Sequence, residues 1–235
     1  MKLKVISAPS MKELFITEIE NLILSGELCH GDKLPTEREM AEQMKVSRTI
    51  TNAGLKELER KGFINIIPRK GAFVADYKRK GTAETLMAII RFHGGRFDRD
   101  TFHSLMDLRI LLETESAFLA AKNRTDEDLA RLEMLLEQLE NCEGAASIAE
   151  LKFEFSHSLI CASGNVVYPL LLTTFKDPFV IFTNTVYRKG NTQDATLYLR
   201  ELLEAIKNRD SEGAKRTMQN LLDERIRVME GMYYD

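Results

Sequence analysis

The sequence predicts a mainly α-helical protein in which three short helices and a small β-hairpin precede an all-helical bundle. Over residues 1–77, helical periodicity gives way to two short β-prone runs, whereas from residue 85 onward nearly every segment repeats its apolar side chains every three to four residues. Between these parts, residues 78–84 are polar and basic. We therefore expect an N-terminal domain over residues 1–77, a linker over 78–84 and a helical domain over 85–235.

The composition limits the environment of the chain. Of its 235 residues, 44% are hydrophobic, which is enough to build a core, and no run of 18 apolar residues is long enough to span a membrane. The first seven residues lack the apolar stretch of a secretory signal, and the three cysteines have neither metal nor disulfide spacing. We expect a cytoplasmic protein with no membrane partner.

Charge is divided unevenly along the chain. Residues 1–82 hold 15 Lys and Arg against 11 Asp and Glu, and the remainder holds 18 against 25. A basic first part joined to an acidic second part suggests that only the first part meets a polyanion. A difference of this size also arises by chance, so the motifs must decide.

The first helix is predicted over residues 10–24 and ends at Ser25-Gly26. The side chains assigned to its apolar face are Leu14, Ile16, Ile19, Leu22 and Ile23.

A second and a third helix follow. Thr36 and Glu39 have the spacing of a capping box, in which each side chain hydrogen-bonds to a free backbone amide of the other residue. Lys45-Val46 makes a short turn, Ser47 caps the third helix, and the apolar residues Leu55 and Leu58 give that helix a buried side. This spacing is typical of a helix-turn-helix.

The hairpin completes the domain. Residues 63–67 and 72–75 are β-prone, and Pro68-Arg69-Lys70-Gly71 between them is a tight turn with two cations. Two short helices joined by a three-residue turn and followed by a hairpin describe a winged helix-turn-helix. In this fold the third helix enters the major groove of duplex DNA, and the hairpin tip reaches phosphates or the minor groove.

Three runs in this half, GDKLPTEREMAEQMKVSRT, LKELERKGFI and RKGAFV, resemble the DNA-binding half of the GntR family of bacterial transcription regulators. The resemblance covers residues 16–76. It implies that Arg38 and Arg48 read bases, since a guanidinium can grip guanine bidentately, and that hydroxyls and amides near the helix start bind phosphates. The DNA-contacting residues that the resemblance implies are Arg38, Ser47, Arg48, Thr49, Thr51, Arg69, Lys70 and Gly71. Asn52, at a position where the family usually has a contacting arginine, is added to this set.

The recognition helix departs from the family pattern at Asn52-Ala53-Gly54, where the family usually has Arg-Glu-Ala. Asn52 removes a cation that would meet phosphate, although an amide can read adenine. Gly54 costs about 1 kcal/mol relative to Ala within a helix. We therefore expect an operator that differs from those of closer family members.

The second half is predicted to be all-helical. We expect helices over residues 100–121, from Thr125 onward with a capped acidic first turn, over 146–162, over 192–208 and over 211–230. We interpret the long apolar stretch 166–187 as a buried helix with a break near Asp177-Pro178.

This half resembles the helical ligand-binding domain of the FadR-like branch of GntR regulators, through Asp107-x-Arg109-x-x-x-Glu113 and residues 162–165. Many such domains hold a divalent metal through one Asp and three His. The resemblance places those four ligands on Lys152, Ser156, Leu199 and Leu221. An ammonium group and two alkyl groups do not ligate such metals, so the resemblance implies a pocket without metal or other cofactor. His157 lies one residue from a ligand position and is interpreted as a packing or surface residue.

The metal-free members of this branch bind fatty acyl-CoA. We therefore expect a small anionic, partly apolar effector, held by Arg109 and Lys152 with Ser156, Asn184 and Tyr187 as hydrogen-bond partners. The alternative is that Arg109 pairs with Glu113 inside the helix and that Lys152 extends outward into solvent.

The function predicted from these residues is that of a homodimeric transcription regulator, a repressor, which binds a pseudo-palindromic site in double-stranded DNA under the control of an organic acid or acyl-CoA. One alternative is the same regulator with a metal-dependent carboxylate effector. Others are a helical enzyme with an accessory DNA-binding head and an architectural protein with a fully packed core. The sequence contains no nucleophile–base pair, phosphate loop or HExxH motif, so we do not expect an enzyme.

Overall fold

The computed structural model describes residues 9–94, 99–188 and 195–233. It divides into two compact units, with the boundary along the chain between residues 96 and 97, and it has the expected mainly helical fold with one small sheet. The first unit contains α1 (Met11–Leu24), α2 (Glu37–Gln43), α3 (Arg48–Arg60), β1 (Ile64–Ile67), β2 (Gly71–Val74), α4 (Tyr77–Lys80) and α5 (Ala83–Phe92).

The second unit is helical throughout its described residues. It contains α6 (Arg99–Asn123), α7 (Asp126–Glu140), α8 (Ala145–Ala162), α9 (Tyr168–Thr174), α10 (Lys176–Arg188), α11 (Ala195–Lys207) and α12 (Ser211–Tyr233). Residues 192–194, where the next-to-last helix was expected to begin, lie outside the described residues. Within those residues, no helix has both the length and the apolar composition to cross a membrane.

Side-chain caps set the helix starts in the first unit. Ser10, Thr36 and Ser47 each accept a hydrogen bond from the amide three residues later, and Thr36 forms the predicted capping box with Glu39. These hydrogen bonds satisfy amides that have no partner within the helix. The predicted starts of the first three helices are thereby confirmed.

The core of the first unit lies between α1, α3 and the hairpin, and its largest buried side chains are Phe15, Leu58, Phe63 and Ile64. The assignment of Leu14 to the buried face was wrong, because its side chain is 50% exposed, whereas Phe15 is 1% exposed. The two residues differ by one position, about 100° around the helix. Ile16, Ile19 and Ile23 are buried as predicted.

The strands pair antiparallel, with Ile64 opposite Val74 and Ile67 opposite Gly71. Lys33 forms an additional bridge to Phe73, which ties the segment before α2 to the hairpin. Arg69 (φ +65°) and Gly71 (φ +111°) take left-handed backbone conformations on either side of Lys70 and turn the chain at the hairpin tip.

Helix α4 and the first two residues of α5 occupy the region that we assigned to a linker, and α5 packs within the first unit. Its Ala88 belongs to the core of that unit, and the Thr85 hydroxyl donates a 2.5 Å hydrogen bond to the Lys61 carbonyl just after α3. The Glu20 carboxylate pairs with Lys61 at 2.8 Å and with Arg91 of α5 at 3.7 Å. The first compact unit therefore extends beyond residue 84 and includes α5.

In the second unit, α6 packs against α12, α8 and α11, and α10 packs against α8. Phe102, Leu132, Phe155 and Leu202 are among its fully buried side chains. Thr125 and Asp128 form a capping box at the start of α7, and Gly164 takes φ +79° after α8, as expected of a C-terminal cap.

The break expected near Asp177-Pro178 within residues 166–187 is present but lies two residues earlier, at Phe175, where α9 ends and α10 follows. Pro178 itself lies inside the first turn of α10. A proline is tolerated there because the first turn has no carbonyl partner for its missing amide. Several apolar side chains near the start of α9 are exposed: Val166, Val167, Leu170 and Leu171.

Candidate nucleic-acid interface and interior cavity

The start of α3 is an exposed, positively charged surface. Ser47 caps the helix, and the following Arg48 and Thr49 are both exposed. Arg38 on α2 is also exposed and forms a 2.9 Å ion pair with Glu42 one turn later. An exposed ion pair of this kind contributes little stability, so Arg38 can exchange Glu42 for a phosphate or a base at low cost.

Thr51 was wrongly predicted to face a phosphate. Its side chain is fully buried, and its hydroxyl donates to the Ser47 carbonyl at 3.3 Å. Ser47 and Thr51 are four residues apart, so the hydroxyl satisfies the helix backbone one turn earlier. Thr51 therefore belongs to the interior of the helix-turn-helix.

Asn52 is half-buried and connects the two helices of the motif. Its amide nitrogen donates a 3.0 Å hydrogen bond to the Glu37 carboxylate on α2. One amide hydrogen and the amide oxygen remain for another partner, so a contact to adenine is compatible with this hydrogen bond.

Gly54 has a packing explanation that the sequence did not reveal. A Cβ atom at this position would lie 2.3 Å from Cδ1 of the buried Phe15 ring on α1. The glycine lets α3 approach α1 closely, which offsets its low helix propensity. The departure from the family pattern at Gly54 therefore follows from the core and does not indicate a different operator.

The hairpin tip adds a second basic surface. Arg69, Lys70 and Gly71 are all exposed, and the side chain of Lys33 lies beside the backbone of Gly71. The sequence prediction did not include Lys33. Its position just before the Leu34-Pro35 motif was the available signal, but only the bridge to Phe73 brings it to the hairpin.

In the second unit, α6, α8, α10, α11 and α12 surround a cavity of about 40 Å³, measured as the space open to water centres. A water molecule needs about 10–15 Å³ by this measure, so the cavity holds about three waters or a ligand of a few heavy atoms. The polar residues that line the cavity are Arg109, Glu113, Lys152, Ser156, Thr183, Tyr187 and Arg225. The other lining residues are aromatic and aliphatic.

One carboxylate in the cavity is fully satisfied. The Glu113 side chain is 1% exposed, pairs with Arg109 Nε at 2.6 Å and accepts a 3.1 Å hydrogen bond from the Ser156 hydroxyl. The Arg109 guanidinium also lies 4.2 Å from the centre of the Phe179 ring. The predicted alternative of an Arg109–Glu113 pair is therefore present, and Arg109 lines the cavity as well.

Lys152 and Arg225 are two further basic side chains on the cavity wall. Within the described residues, neither forms an ion pair or a hydrogen bond, and both lie within 6 Å of the Tyr187 ring, at 5.5 and 5.8 Å. Burial lowers the pKa of Lys152 well below its usual range, and the Arg225 and Arg109 cations lower it further, whereas Glu113 raises it. Lys152 is half-buried and lines the cavity, so its side chain does not extend freely into solvent.

Tyr187 brings a hydroxyl without a partner to the same cavity. The residue is 7% exposed, and its buried oxygen has no hydrogen bond within the described part of the chain. Burial raises the pKa of Tyr187, and nearby Arg225 lowers it to a lesser extent. The hydroxyl is thus a proton donor at neutral pH, and a buried donor of this kind is costly unless a ligand or water accepts its hydrogen bond.

Four of the five residues predicted to hold the effector line this cavity: Arg109, Lys152, Ser156 and Tyr187. Asn184 does not, because its neighbour Thr183 takes the inward position, about 100° away around α10. The prediction missed Arg225, which follows Leu221 by four residues and so lies on the same face of α12.

The donor set of the cavity does not fit a divalent metal. All four positions assigned to metal ligands by resemblance line the cavity, but they present an ammonium, a hydroxyl and two alkyl groups: Lys152, Ser156, Leu199 and Leu221. Glu113 is the one carboxylate of the lining, and Arg109 and Ser156 already hold it. The described residues contain no group of three His, Cys, Asp or Glu that could bind a metal.

His157 faces away from the cavity. Its ring stacks on Phe153, with 6.0 Å between centroids, and its Nδ1 lies 3.8 Å from the Cys161 sulfur. The position next to a predicted ligand therefore serves packing.

Comparison with known families matches both halves of the chain. Residues 15–74 match the model described as "Bacterial regulatory proteins, gntR family", and residues 104–224 match "FCD domain".

Curated relatives are similar along most of their length. The chain is 31% identical over 185 residues to the "Glc operon transcriptional activator" of Escherichia coli (strain K12), covering 76% of this chain and 70% of that protein. It is 26% identical over 226 residues to "Uncharacterized HTH-type transcriptional regulator Mb0601" of Mycobacterium bovis, covering 95% and 93%.

Among solved structures, one titled "Lar controls the expression of the Listeria monocytogenes agr system and mediates virulence" has a TM-score of 0.66. It is 16% identical and covers 97% of this chain and 100% of that one, and it therefore supports the fold alone.

Proposed function

We propose that this chain, which belongs to the GntR family of bacterial transcription regulators and carries an FCD domain, is a homodimeric repressor that releases its operator when a small anion binds in the cavity. The observation that carries the proposal is an exposed basic helix-turn-helix surface in one unit together with an excess of basic side chains on the cavity wall in the other.

The DNA side of the proposal rests on α3 and the hairpin. The exposed Arg48 follows directly after the Ser47 cap, where the free amides of the helix also favour phosphate. Arg38, Thr49 and Asn52 add side chains that can read bases or bind phosphates, and Arg69, Lys70 and Gly71 form the hairpin tip. A two-fold symmetric dimer would read two half-sites about one helical turn apart.

The effector side rests on charge and size. The lining holds three basic side chains, Arg109, Lys152 and Arg225, against the single carboxylate of Glu113. Basic side chains without a carboxylate partner, here Lys152 and Arg225, favour an anionic ligand, because an anion offsets the cost of desolvating a positive charge. A volume of about 40 Å³ suits a small organic acid and is too small for a long acyl chain, so it favours the organic acid over the acyl-CoA of the original expectation.

The alternatives gain no comparable support. A metal-dependent effector would need ligands that Lys152, Leu199 and Leu221 do not supply. The family and its relatives are transcription regulators, which gives the enzyme alternative no backing.

The DNA half can be tested by selecting fragments of the source genome on the purified full-length protein at modest salt concentration and measuring affinity by fluorescence anisotropy. We expect the retained fragments to share a pseudo-palindrome and to bind more tightly than bulk DNA. Equal retention of all fragments would contradict operator recognition.

The effector half can be tested by thermal shift with small mono- and dicarboxylates and with acyl-CoAs at millimolar concentration. We expect small acids to raise Tm, with and without a chelator, and the most stabilising acid to release the selected fragment. Loss of stabilisation in the chelator would support the metal-dependent alternative instead.

A further inference from the structure

We propose that the Lys152 side chain is an uncharged amine in the empty cavity and takes up one proton when a small dianion binds there. This inference rests on the proposed function, namely that the cavity binds an anion. Beyond that proposal, the inference specifies that the anion carries two negative charges and that Lys152 is the group whose protonation changes when the anion binds.

The charges around Lys152 can be counted from each helix that lines the cavity. Helix α6 contributes the Arg109–Glu113 ion pair, which is neutral as a whole. Helix α12 contributes the Arg225 cation, α10 contributes the Tyr187 phenol, and α11 contributes the apolar Leu199. Apart from Lys152 itself, the lining therefore carries one net positive charge.

The surroundings of Lys152 disfavour a second positive charge in the empty state. Its ammonium would have no carboxylate partner of its own, because Glu113 is held by Arg109 and Ser156. Burial and the cations of Arg225 and Arg109 all lower the pKa of Lys152, and Glu113 opposes them only in part. Lys152 therefore releases its proton more readily than a lysine in solvent does.

A dianion reverses this balance. Two negative charges would offset Arg225 and a protonated Lys152 together, so the cavity becomes neutral only if the lysine binds a proton. A monoanion is already offset by Arg225, and Lys152 then remains uncharged. Ser156, Thr183 and the Tyr187 hydroxyl supply neutral hydrogen bonds in either case.

The position of Lys152 also bears on the role of its charge. It lies where the resemblance assigns a metal ligand, in a lining that does not fit a metal. The ammonium formed on ligand binding would place a positive charge at this position without a metal.

The experiment is titration calorimetry of the full-length protein with malonate and with sulfate, and with acetate as the monoanion. Each titration is run at one pH in two buffers that differ in ionisation enthalpy, since the difference in observed heat gives the number of protons taken up. We expect about one proton for each dianion, none for acetate, and a loss of dianion affinity of about tenfold per pH unit as the pH rises. The two dianions distinguish a need for carboxylates from a need for charge alone.

Two variants separate this mechanism from a structural effect. Lys152→Arg keeps a cation that does not titrate, so it should bind malonate or sulfate without proton uptake. Lys152→Met should weaken dianion binding by about tenfold or more and abolish the proton uptake, and it should have little effect on acetate binding. Thermal unfolding of both variants checks that the fold is retained.

The outcomes are distinguishable. Dianion binding without proton uptake by the natural protein, or uptake that persists in Lys152→Met, would overturn the inference and leave the proposed anion site standing. If no anion binds in calorimetry or stabilises the protein in thermal shift, the proposed effector site itself fails.

Discussion

Glu20 on α1 and Lys61 at the end of α3 form a 2.8 Å ion pair that is almost closed to solvent, with side-chain exposures of 3% and 13%. Arg91 of α5 reaches the second oxygen of the same carboxylate at 3.7 Å. One buried carboxylate therefore joins the first helix, the end of the recognition helix and α5 within the N-terminal unit.

Glu20→Gln should lower the free energy of unfolding by about 1–3 kcal/mol, because it leaves the mostly buried Lys61 ammonium without a charged partner. Urea denaturation of the full-length protein measures the loss. The control is Glu18→Gln on the exposed side of the same helix, for which a change within about 0.5 kcal/mol is expected. Equal losses in the two variants would show that the buried pair has no special role.

Gly54→Ala should destabilise the N-terminal unit by about 1–3 kcal/mol, although alanine is the better helix former. The added Cβ would overlap the Phe15 ring, which is buried and has little room to move. Pairing the change with Phe15→Leu should recover part of the loss, and denaturation curves of the single and double variants give this coupling. A stabilised Gly54→Ala variant would mean that the two helices separate easily.

Arg48→Ala should cost on the order of 1–3 kcal/mol of binding to the selected operator while leaving Tm unchanged, since Arg48 is exposed at the start of α3. Lys70→Ala should instead weaken binding about equally for all sequences and reduce its salt dependence. Thr51→Val is the matched control within α3. Because Thr51 is buried, this variant should keep its operator affinity. Anisotropy titrations at several salt concentrations distinguish the three variants.

Tyr187→Phe should leave the stability of the empty protein unchanged or raise it slightly, because the hydroxyl that is removed is buried without a partner. The same change should weaken the binding of a stabilising anion by about tenfold if the hydroxyl donates a hydrogen bond to that anion. Thermal shift with and without the anion measures both effects. A large loss of stability without ligand would indicate an internal partner for this hydroxyl.

Lys152→Met should stabilise the empty protein more at pH 7 than near pH 10, because the folded state holds the pKa of Lys152 below that of a free lysine, about 10.4. Between these two pKa values the unfolded chain binds more protons, so the stability of the natural protein rises with pH, and the advantage of methionine shrinks. Tm measured for both proteins across this pH range provides the comparison. An advantage that does not change with pH would indicate a packing effect alone.

The sequence by itself determined the elements of the N-terminal unit and their order. Caps such as Thr36 with Glu39 and Ser47 with Ile50 act between residues three positions apart, so their chemistry can be identified without knowledge of the fold. The same holds for the turn at Arg69–Gly71 and for the helix start at Thr125. The family motifs also directed attention to Arg109 and Lys152, both of which line the cavity.

Only the tertiary structure decided which faces of the helices meet. Periodicity identifies an apolar stripe to within about one residue, and one residue turns a side chain by about 100°. This is why Phe15 replaces Leu14 in the core and Thr183 replaces Asn184 in the cavity. The charge of the cavity is likewise a property of the assembled bundle, because Arg225 joins Lys152 across 73 residues of chain through packing that no local pattern specifies.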